Sequence, residues 1–147
     1  MLIVLALVAF LLGAGLTIQA GINASLRTTL GHPVHATVAS FAVGLVAVLA
    51  FALVTGVGRP PAEAFARTPW WLYVGGIIGA IYVGGSVVLA PKLGAAVLVS
   101  LLIAGQLTAA LIVDPYGALG FPQAPATPAR LAGVALLIVG VILVRRG

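Results

Sequence analysis

Between Leu2 and Val54 the chain carries one formally charged side chain, Arg27. A water-soluble helix needs a charged or polar face opposite its apolar stripe, and this stretch has none to offer. The same pattern runs to the end. Five apolar blocks, 2–24, 34–54, 69–90, 93–113 and 128–145, are separated by short segments rich in Gly, Pro and Arg. Each block is close to the roughly 20 residues that an α-helix needs to cross the hydrocarbon core. The expected fold is an all-α membrane protein with five transmembrane helices in a single transmembrane domain, 1–147, without an internal repeat.

The breaks carry their own chemistry. Ser25, Arg27, Thr28, Gly31 and Pro33 end the first block, and Gly56, Gly58, Pro60 and Pro61 end the second. Thr68-Pro69 and Thr127-Pro128 read as helix starts, each a capping hydroxyl followed by proline at the first helical position. Trp70, Trp71 and Tyr73 open the third block as interfacial aromatics do. Pro91 is expected to stop it, and the brief Pro91-Lys92 link implies a tight antiparallel hairpin with the fourth. The fifth block is continuously apolar only from Leu131 to Val144, so Arg130, Arg145 and Arg146 are expected to snorkel to the interfaces. No basic residue precedes the first apolar run, which favours a retained span over a cleaved signal peptide.

Only 6% of the residues are charged and 63% are hydrophobic, against about a quarter and about half in soluble domains. The chain lacks the polar residues to cover itself in water, and its solvent is a lipid bilayer. The net charge of +5 comes from basic residues standing singly or in one pair at the block ends. That is the flanking charge of membrane spans, which argues against a nucleic-acid partner. Cysteine is absent, so a disulfide framework or thiolate metal site is impossible. Neither a nucleophile–base–acid set nor a phosphate loop appears, and no cofactor or enzyme activity is expected.

An odd number of spans puts the two termini on opposite sides. With the N-terminus outside, Arg27, Lys92, Arg145 and Arg146 lie inside and Arg59, Arg67 and Arg130 outside. Four against three barely biases orientation. Two readings stand: one weakly set orientation, or insertion both ways with head-to-tail pairing. Five helices are few to enclose a pathway, whereas two antiparallel copies supply ten on the inverted-repeat plan of many transporters.

Gln19-Ala20-Gly21-Ile22-Asn23-Ala24-Ser25-Leu26-Arg27 resembles the first-helix end of the YdcZ-type bacterial inner-membrane proteins of the drug/metabolite transporter superfamily. Ala36 to Gly44, ATVASFAVG, agrees with it. So does Pro91-Lys92-Leu93-Gly94-Ala95-Ala96, leading to Gly105-Gln106-Leu107 and Asp114. Pro115 departs from the pattern, where the family has His or a similar residue. The resemblance covers nearly the whole chain. It implies a five-helix half-transporter in the inner membrane, in a family with dual-topology homodimers, oppositely oriented pairs and fused ten-helix chains.

Polar groups inside the spans are the candidates for solute contact, because hydrocarbon penalises them unless they face protein or a water-filled cavity. Gln19 and Asn23 are four residues apart, on one helix face with Gly15 and Arg27. Their carboxamides both donate and accept, which suits a polar solute without fixed charge. The competing reading is interhelical bonding, worth about 0.6 kcal/mol per bond. Gln106 is a second candidate wall, and Thr108 is expected to bond back to its own helix. Tyr82 and Ser86 share a face with Gly75 and Gly79, and that face serves either helix packing or ligand stacking. Ala36, Ser40 and Gly44 form a packing ridge. Asp114, Arg27 and Lys92 are weaker candidates for coupling or gating. Asp114 sits at a span edge and Glu63 in a loop, so a buried-carboxylate cation exchanger is disfavoured, and Asp114 more naturally orders its loop. His32 and His35 flank Pro33 as interfacial caps rather than metal ligands. The expected activity is transport of small polar metabolites or drug-like solutes by alternating access. The alternatives are a passive channel and an accessory subunit with no substrate of its own.

Overall fold

The computed structural model describes residues 1–146 and is helical throughout its ordered elements. Five helices are long and apolar enough to span a bilayer, and at most 11% of the most apolar window of any of them is enclosed by the chain itself. Large side chains such as Leu11, Val46 and Leu136 stand 65%, 66% and 72% exposed. An aliphatic surface on that scale is stable only against lipid. The chain forms two compact units, Met1–Lys92 and the segment from Leu93 onward.

In the first unit, α1 spans Leu2–Leu30 and α2 spans Pro33–Thr55. α1 runs six residues beyond the end that polarity suggested at Ala24. Ser25 Oγ donates to the Gly21 carbonyl at 3.1 Å and Thr28 Oγ1 to that of Ser25. Such back-bonding lets hydroxyls remain inside a helix. The helix stops where Gly31 adopts φ 75° and its N–H reaches the Arg27 carbonyl, a left-handed cap that glycine adopts without steric cost. At 1.5 Å per residue α1 is about 44 Å long, more than the roughly 30 Å hydrocarbon core. Arg27 lies in its last turn.

His32 caps α2. Its Nδ1 accepts from the Val34 N–H at 3.2 Å, with Pro33 next in the first turn. His35 Nδ1 meets the Leu30 carbonyl at 3.2 Å, and the two imidazole centres are 5.5 Å apart. The histidines thus fix a short turn that returns α2 along α1, and the two helices pack together.

The link from α2 contains a six-residue helix, α3, at Ala62–Arg67. Thr68 closes α3 rather than opening the next span: its Oγ1 donates to the Ala64 carbonyl at 2.7 Å. The span begins instead with a 3-10 turn at Trp70–Tyr73, after Pro69, and continues as α4, Val74–Leu93. Pro91 does not stop it. Proline has no N–H, so the Val87 carbonyl loses its intrahelical donor there, but that is a single bond and proline's fixed φ near −65° still fits the helix. The helix breaks at Gly94, with φ 74° and ψ 161°, a backbone region close to glycine-only.

In the second unit, α5 (Ala95–Val113) and α6 (Pro128–Arg146) pack against each other. Between them come 3-10 turns at Asp114–Tyr116 and Ala118–Gly120 and an extended segment. Thr127 starts α6 as its sequence suggests: its Oγ1 accepts from the Arg130 N–H at 3.4 Å and its carbonyl from the Leu131 N–H at 3.0 Å.

Candidate functional site

The enclosed residues of the first unit are few. Asn23 on α1, Ala36 on α2, and Ser86 and Val87 on α4 are its buried residues. Small side chains let α2 and α4 approach here. A Cβ added at Gly84 would lie 3.5 Å from Thr37 Oγ1, and Thr37 Oγ1 in turn donates to the Pro33 carbonyl at 3.0 Å. Asn23 lies eight residues before the Gly31 turn and Ser40 nine after it, so the hairpin register sets them at a similar level.

Asn23 is 4% exposed, whereas Gln19, one turn earlier, is exposed. The i, i+4 stripe is therefore split: one carboxamide turns into the chain and the other stays on its surface. Side-chain hydrogen bonds within α1 run from Thr17, Ser25 and Thr28 to carbonyls of the same helix. The Gln19 and Asn23 amides take part in none of them. Both keep their full donor and acceptor capacity for another group.

Ser86 is 6% exposed and donates to the Tyr82 carbonyl at 2.8 Å. Its proton is committed, and its oxygen can only accept from a further group. Tyr82 is half-buried, as is Arg27, and Lys92 is exposed in the last turn of α4.

In the second unit, Gln106 is exposed on α5, and Thr108 Oγ1 bonds back to the Ala104 carbonyl at 2.8 Å. Asp114 has a clear structural partner. Its carboxylate is engaged by Arg130 Nη2, and Arg130 Nη1 donates to the Ala124 and Pro125 carbonyls, each at 3.3 Å. The Asp114 carbonyl accepts from the Ala124 and Gly117 N–H groups, at 2.9 and 3.1 Å, and Gln123 Nε2 donates to the Pro115 carbonyl at 2.9 Å. One charge pair and a ring of backbone bonds thereby fold residues 114–127 over the α5–α6 end. Sequence reasoning placed Asp114 at the loop and treated Arg130 only as a snorkelling residue. Their opposite charges, at the two ends of one Pro- and Gly-rich connection, were the available signal.

Five lipid-exposed spans with isolated polar groups and short connections define a multi-pass integral membrane protein. The family described as "Putative inner membrane exporter, YdcZ" matches residues 4–143, and the chain belongs to that family. It is similar to the inner membrane protein YdcZ of Escherichia coli (strain K12), with 32% identity over 84 residues, which is 57% of this chain and 56% of that protein. The matched region thus spans little more than half of the relative's length. No solved structure matches the chain. Its location is the inner membrane, as the resemblance of its first-helix end implied.

Proposed function

We propose that the chain exports small polar solutes by alternating access, as a homodimer of two oppositely inserted copies, with no enzymatic step. The observation that carries this reading is the exposure of Gln19 and Gln106 on apolar spans. A carboxamide left in hydrocarbon without a partner costs several kcal/mol. A second copy, bringing its own Gln19, Asn23 and Gln106, supplies both the cover and the lining of a solute pathway. Tyr82 and Ser86 extend that lining, the serine as acceptor and the tyrosine as a stacking face or gate. The outward direction is taken from the family's description as an exporter.

Carboxamides without a carboxylate favour neutral or zwitterionic cargo over permanent cations. Asp114, bound by Arg130, orders its loop, while Arg27 and Lys92 meet the headgroups at span ends. A thermal-shift screen of the purified protein in detergent tests the cargo class. Neutral and zwitterionic polar solutes at about 100 times their Kd stabilise by about 2.7 kcal/mol. Stabilisation by quaternary ammonium compounds alone would overturn the assignment.

A further inference from the structure

The α5–α6 pair carries a feature that solute transport does not use. Along one side runs a lateral groove of about 460 Å³, walled by Ser100 of α5 and by Gly133, Leu137, Gly140 and Val144 of α6. Glycines make it: a Cβ added at Gly133 or at Gly140 meets no atom within 4 Å. Its one hydroxyl is satisfied, since Ser100 Oγ donates to the Ala96 carbonyl at 2.7 Å, so the groove offers aliphatic contact.

Two further observations identify an occupant. From Gly133 to Val144, α6 rises about 16 Å, close to the hydrocarbon depth of one leaflet, half of roughly 30 Å. Immediately beyond Val144 stand Arg145 and Arg146, both exposed. The one carboxylate side chain in this unit, Asp114, is held by Arg130 at the other end of the helix pair. The groove is therefore one acyl chain deep and ends at two cations with no side-chain counter-charge in their unit. A neighbouring hollow, lined by Leu107, Ala110 and Gly133 among others, ends at Arg130, whose charge is already answered. Anion preference accordingly belongs to the Arg145–Arg146 end.

We propose that the α5–α6 groove seats one anionic phospholipid, with an acyl chain along Gly133 and Gly140 and its phosphate on Arg145 and Arg146. Native mass spectrometry of the detergent-solubilised full chain, with phosphatidylglycerol or phosphatidylethanolamine added, tests it. Wild-type protein retains phosphatidylglycerol with about a thirtyfold preference, the order expected for two basic side chains near an anionic headgroup at about 1 kcal/mol each. R145Q/R146Q brings the two lipids to parity without changing helicity. Gly140→Leu, whose Cβ meets no atom within 4 Å, fills the groove and lowers retention of both lipids while the oligomer mass stays the same. Equal retention of the two lipids by wild type, or a preference surviving R145Q/R146Q, overturns the proposal. So does a Gly140→Leu protein that changes oligomer mass and keeps its lipid, since a second copy would then cover the groove. None of these readouts depends on solute flux.

Discussion

Asn23→Ala and Gln19→Ala each yield a folded, membrane-inserted protein whose solute flux falls by at least about tenfold, corresponding to about 1.4 kcal/mol of lost solute interaction. The argument rests on what the two amides do not do. Neither joins the hydrogen bonds that Thr17, Ser25 and Thr28 make within α1. Truncation therefore removes no intrachain bond. Alanine is also a better helix former than either residue, so α1 retains its stability. Asn23 is nearly enclosed, and Asn23→Ala opens only a small polar gap. If the amides instead bonded helices of two copies together, the variants would lose dimer stability and keep their flux. Proteoliposome uptake, paired with thermal unfolding of the same preparations, separates these outcomes. Wild-type flux in a well-folded Gln19→Ala protein removes that residue from the pathway.

Asp114→Arg has the second large effect, and on structure rather than cargo. It places a guanidinium beside Arg130, which still reaches for the Ala124 and Pro125 carbonyls. Arg130 is 38% exposed and Asp114 17%, so water screens part of the interaction. Loss of the attraction costs about 1–2 kcal/mol, which raises loop opening by roughly tenfold. Limited proteolysis within residues 114–127 should accelerate by that factor. The charge swap Asp114→Arg with Arg130→Asp restores the ion pair and forfeits the two carbonyl bonds, so resistance returns in part. Equal cleavage of wild type and Asp114→Arg would mean that the backbone bonds alone hold the loop.

Hydropathy made the five spans legible because a chain with nine charged residues has one solvent it can fold in. It was a poorer guide to helix ends. Polarity marks where a helix leaves hydrocarbon, whereas hydrogen bonding and backbone angle mark where it stops. α1 therefore continues through Ser25, Arg27 and Thr28 until Gly31 turns it. Pro91 failed as a terminator for the same reason, with Gly94 making the break. Thr68 and Thr127 precede proline in the same way, yet Thr68 closes α3 and Thr127 opens α6. Local sequence does not distinguish them, because the difference lies in whether a helix precedes the threonine.

The candidate site was legible only in its residue types. Spacing put Gln19 and Asn23 on one face, but their differing burial depends on how α1 meets its neighbours, which no periodicity in α1 records. The Asp114–Arg130 pair joins residues sixteen positions apart. Its signal is a long-range charge match that helix patterns leave unread.

Opposed insertion of paired chains, proposed above, has a direct test. The native sequence has no cysteine, so a single Ala126→Cys, in the exposed part of the connection before α6, reports orientation without background. Sealed inner-membrane vesicles of one sidedness are treated with a membrane-impermeant maleimide before and after permeabilisation. About half of the chains should react before permeabilisation and the remainder only afterwards, the result expected of insertion both ways under a charge bias as slight as four against three. Reaction of every chain from one side, or of none until permeabilisation, would contradict opposed insertion.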